Sequence, residues 1–387
     1  METDIQTLDP ARQERAKEYA IIRRWLWILE MALGLIYMLF WLLSSWASTI
    51  AETINSIQSE SSVSWWITLL AVTGSLAIPW RILTLPLSYY SGFILPHRYD
   101  LSTQTLKGWI SDLIKGGLIS IVLGIPLLIG LYGLIRSFPS TWWILAAGGF
   151  TLFTVVLAVL APVLLMPIFY KFKPLGEEYS RLAQKLLELA RQAGTHVRGV
   201  YTFDMSRRTR AANAGLTGLG RTRRIILSDT LLEEFSEPEI ETVLAHELAH
   251  HVNKDIPLQL IFQTSFNFMA FYIASQVLEQ VANSLNLSGG SDPGGLPLLT
   301  IVFGFLGLIT MPVSNALSRW RERLADQYAL ETTNKPDAFE SAMTRLANQN
   351  LAEVDPEGWV VFLFYSHPPL RDRIRMAQAF GSKPVST

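Results

Sequence analysis

Six apolar segments fix the environment of this chain before any motif is considered. They lie near residues 25–46, 64–94, 112–136, 141–170, 257–283 and 297–317. Each is long enough to cross the roughly 30 Å hydrocarbon layer of a bilayer as a helix, which takes about 20 residues. Backbone polar groups inside a bilayer must be satisfied within the spanning structure, so a helical bundle is predicted. Composition agrees. Half of the 387 residues are hydrophobic and 17% are charged, whereas soluble domains carry about a quarter charged residues. The second and fourth segments are long, so a tilt or a kink at proline is expected in them.

The charges beside these segments alternate. Arg12, Arg15, Lys17, Arg23 and Arg24 precede the first span, while the connection 47–63 has Glu52 and Glu60 but no cation. Arg98, Lys107 and Lys115 follow the second span, and Arg136 adjoins the short turn near 137–140. Lys171 and Lys173 follow the fourth span, the connection 284–296 has no cation, and Arg319, Arg321 and Arg323 follow the sixth. The positive-inside rule then places both termini and the region 171–256 in the cytoplasm. The first 20 residues are polar, so no cleaved signal peptide is expected and the first span serves as a retained anchor. A net charge of −1 leaves no electrostatic footprint for a nucleic-acid partner. The chain has no cysteine, which excludes disulfides, thiolate ligands, cysteine nucleophiles and lipidation at cysteine.

Residues 174–255 read as a water-facing unit. Leu182, Leu186, Leu187, Leu189 and Ala190 have helical spacing, and the helix is expected to end at Gly194. Residues 197–203 and 223–227 are strand-like, and the basic, glycine-bearing stretch 207–224 between them reads as a solvated loop near anionic lipid. Ser236 and Glu239 form a capping-box pattern with Pro238 in the first turn. The helix they start runs through Ile240, Val243 and Leu244 into His246-Glu247-Leu248-Ala249-His250.

That last pentad has the H-E-x-x-H pattern. On a helix its histidines are one turn apart and reach one zinc ion, and the glutamate between them can act as general base toward the attacking water. A catalytic zinc takes three protein ligands. Glu322 and Asp326 lie one turn apart in the segment 318–326. Glu322 can supply the third ligand, and Asp326 can accept from the free ring nitrogen of a ligating histidine. By themselves the two acids also fit a charged helix face among arginines. The topology favours the ligand, because the chain leaves and re-enters the same side of the membrane between His250 and Glu322. His251 is turned about 100° from His250 and cannot share the ion. His97 and His196 lie in connections and read as ordinary surface residues. His367 is preset by Pro368 and can hydrogen-bond a tetrahedral intermediate, or can be a loop histidine without a role. Gln259, Gln263 and Asn267 make one polar face on the fifth span, suited either to interhelical hydrogen bonds or to a wet chamber.

Four motifs in order resemble those of the type-1 CAAX prenyl protease family, the membrane zinc proteases that trim prenylated C-terminal peptides in eukaryotes. They are HELAH at 246–250, S-R-x-x-E-x-x-A-D at 318–326, S-H-P-P-L-x-x-R at 366–373 and N-A-x-x-x-G at 213–218. The stretch 224–232 also looks like the family's passage into the active-site helix. The resemblance implies that His246, His250 and Glu322 ligate one Zn2+, that Glu247 is the catalytic base, and that Asp326 orients a ligand histidine. It implies that His367 and Arg373 assist binding and transition-state stabilisation. It places Asn213 and Ala214 on an edge strand that holds the substrate backbone. The chain lacks the extra span and acidic insertion of the eukaryotic members, so a prokaryotic member in a plasma or inner membrane is expected.

The expected fold is a mainly α polytopic bundle of about six spans with a cytoplasmic zincin-like α+β metalloprotease domain. Its divisions would be a cytoplasmic segment 1–24, a four-span membrane region 25–173 and a metallopeptidase region 174–387. The expected activity is that of a membrane zinc metalloendopeptidase acting on a peptide or membrane-protein substrate in the lipid bilayer. The alternatives are a quality-control protease of the bacterial heat-shock membrane type and a non-catalytic scaffold or chaperone.

Overall fold

The computed structural model describes residues 7–58, 65–218, 222–285, 287 and 289–382. Part of the connection 47–63, with Glu60, and part of the basic stretch, 219–221, lie outside the described residues. Helix α1 (Pro10–Leu43) starts well before its apolar segment, because the Asp9 carboxylate accepts from the backbone N–H groups of Ala11 and Arg12 and caps it. After α2 (Trp46–Gln58) comes α3 (Trp65–Tyr89), which passes through a π-helical turn (Tyr90–Ile94) into α4 (Leu95–Arg98). Helix α5 (Leu106–Ser137) follows, then α6 (Trp142–Leu160), which passes through a second π-helical turn (Ala161–Leu165) into α7 (Met166–Phe169). The irregularity expected in the second and fourth spans is thus a π-helical turn in each, with Pro162 inside the second turn.

The remaining elements are β1 (Phe172–Pro174), α8 (Ser180–Gln192), β2 (Val200–Phe203), β3 (Ala214–Thr217), β4 (Arg224–Ser228), α9 (Asp229–Glu234) and α10 (Glu237–Val252). They continue with α11 (Asp255–Ala282), α12 (Leu296–Thr333), α13 (Pro336–Gln349), α14 (Gly358–Phe364) and α15 (Leu370–Gly381). Among the described residues five helical stretches are long and apolar enough to cross a membrane: Pro10–Leu43, Trp65–Arg98, Leu106–Ser137, Trp142–Phe169 and Pro293–Thr333. The segment expected to span at 257–283 is α11. Its 28 residues give ample length, but its polar residues set it apart from the other five. The physical reason is position: α11 packs between α6 and α12, and its buried Asn267 donates to Thr151 Oγ1 on α6 at 3.2 Å. A helix inside a bundle faces protein more than lipid and tolerates amides that a lipid-facing helix does not.

Helix α12 corrects a boundary. Its apolar segment ends near residue 317, yet the helix runs unbroken to Thr333, where Asn334 turns left-handed at φ 50°. One continuous helix, with Pro312 inside it, therefore joins the membrane bundle to the sheet-bearing unit.

The sheet has the order β1-β2-β4-β3. β2 and β4 are parallel with Val200 opposite Ile225, and β3 is antiparallel to β4 with Ala214 opposite Leu227. β3 overturns the loop read from composition. Ala-Gly-Leu-Thr has weak strand propensity, and the edge of β4 that β2 leaves unpaired decides the outcome. Helix α8 ends close to its expected stop, with Gly194 left-handed at φ 66°. Beneath the sheet, Leu182, Leu186, Ile225, Leu227, Leu231, Ile240, Leu244, Leu248 and Phe339 form one core with Ala329 and Leu330 of α12. His97 is not the ordinary surface residue it reads as. Its Nδ1 is 2.6 Å from Phe93 O and its Nε2 is 2.9 Å from Gln104 O, so it ties α4 to the following loop. His196 is exposed, as expected.

Candidate metal centre

Helix α10 carries the pentad because its first turn is locked from both sides. The Glu239 carboxylate accepts from Ser236 N at 2.7 Å and from Ser236 Oγ at 2.9 Å, completing the capping box. Ser341 Oγ and Arg345 Nε on α13 donate to its other oxygen at 2.6 and 3.2 Å. Apolar Leu244 and Leu248 bury one face of α10 in the core. The opposite face presents His246 and His250, whose ring centroids are 5.0 Å apart and whose planes are nearly perpendicular at 88°.

The long helix α12 brings Glu322 to them. Glu322 Oε2 is 3.1 Å from His246 Nε2, and Oε1 is 3.6 Å from His250 Nε2. One donor atom from each of His246, His250 and Glu322 lies within 4.8 Å of the other two. This donor set, two imidazoles and a carboxylate, matches zinc chemistry. The electrostatics call for a cation as well. His246 Nδ1 faces Asp326 Oδ1 at 2.8 Å, so a proton on Nδ1 leaves Nε2 with a lone pair aimed at a carboxylate. Glu322 Oε2 is buried and faces that ring nitrogen at 3.1 Å. Burial lowers the His246 pKa, but hydrogen bonds to Asp326 and Glu322 override that and lift it to about 9. His250 moves the other way, lowered first by burial and then by the His246 charge.

Glu247 lies between the two histidines and is partly buried. Burial raises its pKa, against the lowering effect of the two histidines. His367 reaches the same cluster from the segment between α14 and α15. Its Nε2 is 3.4 Å from Glu322 Oε1, and its side chain remains 58% exposed. His251 points away and meets Arg223 Nη1 at 3.2 Å.

Arg373, placed at the substrate by resemblance, is 8% exposed. It donates through Nε and Nη2 to the two oxygens of Asp326 at 2.9 and 2.6 Å. Asn213 is exposed at the start of β3, on the rim of the sheet. Its carbonyl accepts from Ser228 N at 2.9 Å, and Ala214 pairs with Leu227.

Sequence reasoning missed one residue that the geometry puts at the centre. Asp255 Oδ2 is 2.7 Å from His250 Nδ1. Lys254, left-handed at φ 56°, reverses the chain between α10 and α11 and so returns Asp255 to the histidine. Arg321 on α12 pairs with the other Asp255 oxygen. The two histidines thus have parallel supports, His246–Asp326–Arg373 and His250–Asp255–Arg321. The signal was a carboxylate five residues after His250, but only the left-handed turn gives it meaning. Asp255→Asn is expected to weaken zinc binding about 10- to 100-fold, measured by competition with a chromogenic chelator. Unchanged affinity would remove Asp255 from the site.

Two cavities meet the cluster. One, of about 420 Å3, runs between α11 and α12 beside His250, Gln259, Ser318 and Glu322. The other, of about 770 Å3, opens past His367 toward α1. A third cavity, of about 810 Å3, lies deeper along α11 against Gln263 and Asn267 and is walled mostly by apolar side chains. Interhelical hydrogen bonding accounts for part of the polar face of α11: Gln263 donates to Asn267 at 3.0 Å, and Asn267 donates to Thr151 on α6 at 3.2 Å.

Comparison with known proteins gives concordant results. The model for peptidase family M48 matches residues 177–380. The model described as CAAX prenyl protease N-terminal, five membrane helices, matches residues 4–171. An uncharacterized metalloprotease of Bacillus subtilis, YhfN, is 32% identical over 78% of this chain and 71% of its own length. CAAX prenyl protease 1 of Saccharomyces cerevisiae is 32% identical over 76% of this chain and 68% of its own length. The crystal structure of S. mikatae Ste24p has the same fold, with a TM-score of 0.83 and 24% identity over 96% of this chain and 90% of that one.

Proposed function

This chain belongs to peptidase family M48, and from that premise we propose that it is a membrane endopeptidase cleaving hydrophobic C-terminal peptides at a cytoplasm-facing site. The observation that carries the reading is the placement of His246, His250 and Glu322 where α12 leaves the membrane bundle. A substrate seated in the bilayer can reach such a site without leaving it.

Zinc, when bound by His246, His250 and Glu322, supplies Lewis acidity toward the attacking water and the scissile carbonyl. The chain's own residues do the rest. Glu247 takes the proton of the attacking water and passes it to the leaving amine, a role that its burial-raised pKa suits. His367 donates from Nε2 to the developing oxyanion, in the tautomer in which Ser366 Oγ, 3.0 Å away, donates to Nδ1. Asp326 and Asp255 fix the orientation of the two ligand histidines. Asn213, just before β3, and Ala214, its first residue, lend a strand edge to the substrate backbone. The four-span region 25–173 and the metallopeptidase region 174–387 then divide the work of membrane anchoring and chemistry. The Bacillus relative supports a prokaryotic membrane for this chain.

Chelation should abolish cleavage of a membrane-anchored peptide by the purified protein, and stoichiometric zinc should restore it. Cleavage that survives removal of all metal would overturn the reading. Orientation has its own test, since the chain lacks cysteine. Arg181 has a side chain 80% exposed, and an Arg181→Cys variant should react with an impermeant maleimide only in inside-out vesicles. Labelling in right-side-out vesicles alone would reverse the topology.

A further inference from the structure

We propose that Arg23 on α1 receives the C-terminal carboxylate of the peptide substrate, in the cavity that opens past His367. The inference rests on the peptidase reading above. The cavity, about 770 Å3, is lined by Tyr19, Arg23, Arg24 and Trp27 of α1 on one wall and by Glu353 and His367 on the other. Small-molecule and short-peptide pockets commonly run about 300–1,000 Å3, so a few residues of peptide fit.

The charges of this cavity do not balance. It is lined by three arginines, Arg23, Arg24 and Arg373, and by a single carboxylate, Glu353. Arg373 is committed to Asp326. Arg24 Nη1 is committed to Glu353 Oε2 at 3.1 Å, with both side chains largely covered. Arg23 is left over. Among the described residues it has no carboxylate within ion-pair distance, and its guanidinium lies 5.6 Å from the Tyr19 ring. That contact holds the cation at the wall without neutralising it.

The geometry of α1 adds direction. Tyr19, Arg23 and Trp27 recur every four residues and so share one helix face. The apolar end of that face is closed by Trp27 against Phe364, edge to face at 5.3 Å. The groove therefore runs from the Trp27–Phe364 contact to Arg23, with His367 also in its wall. The cavity on the other side of the cluster has no spare cation, because its Arg321 is paired with Asp255. A chain crossing the cluster from the α11 side would place its anionic end at Arg23. An arginine fork suits a carboxylate better than a lysine would.

The test is binding, read without turnover. Glu247→Gln protein in phosphatidylcholine nanodiscs is titrated with a dansyl-labelled hydrophobic hexapeptide bearing a free C-terminal carboxylate, and with its C-terminal amide. The carboxylate form should bind about 10- to 100-fold more tightly, the range expected for a charge-assisted hydrogen bond. Arg23→Gln should remove that preference while leaving affinity for the amide unchanged, and Arg23→Lys should restore part of it. Equal binding of the two peptides, or a preference that survives Arg23→Gln, would overturn the proposal. The titrations are repeated with phosphatidylglycerol added. If Arg23→Gln then weakens both peptides alike and only in the anionic lipid, Arg23 binds headgroups and the proposal falls. Carboxylate preference without any cleavage by the wild type would instead count against the peptidase reading and leave this one standing.

Discussion

Glu247→Gln is expected to lower the cleavage rate about 10²- to 10⁴-fold, the range of a general base, with one zinc retained per chain. The amide keeps the shape of the side chain and loses only the ability to take a proton. The group that could hold the metal is His246, His250 and Glu322, so the substitution leaves that donor set intact. Cleavage rate and zinc content must be measured on the same preparation. A variant within tenfold of the wild-type rate would exclude Glu247 as the base. Loss of zinc together with activity would show that the substitution disturbs the site as a whole, and the rate alone would then say nothing about proton transfer.

Arg373→Met is expected to destabilise the protein by about 3–5 kcal/mol, the usual cost of leaving one member of a buried ion pair alone. Asp326 is fully buried, and Arg373 supplies two of its hydrogen bonds. With the arginine gone, the carboxylate keeps only His246 Nδ1. Zinc affinity should fall too, because the same carboxylate holds the His246 ring through Nδ1. Denaturant unfolding followed by the fluorescence of the 12 tryptophans reads the first effect, and chelator competition reads the second. The double variant Arg373→Met, Asp326→Asn should recover part of the stability, because the orphaned charge is gone. If the single variant unfolds like wild type, Arg373 is not a structural partner of Asp326. A direct role at the substrate, which the family resemblance implies, would then be the better account.

The local pattern was legible where the physics is local. The capping box at Ser236 and Glu239 starts α10 as its residues require, and α8 stops within two residues of Gly194. The four long helices before residue 171 follow from runs of apolar side chains. β3 was not legible from its own residues, because Ala214–Thr217 becomes a strand only against β4. His97 looked idle because its two partners are backbone carbonyls, which a sequence does not advertise.

The sequence by itself determined the membrane bundle, the H-E-x-x-H pentad and the nearby acids whose chemistry could complete a metal site. Those are matters of hydropathy, helical period and donor chemistry, each readable within a few turns of chain. Only the tertiary structure decided what surrounds the pentad. It set α12 as one continuous helix that carries Glu322 to His246, and it returned Asp255 to His250 through a left-handed Lys254. It paired Arg24, Arg321 and Arg373 with acids and left Arg23 without one among the described residues. Ion pairs between residues tens or hundreds of positions apart depend on packing angles that no local pattern encodes.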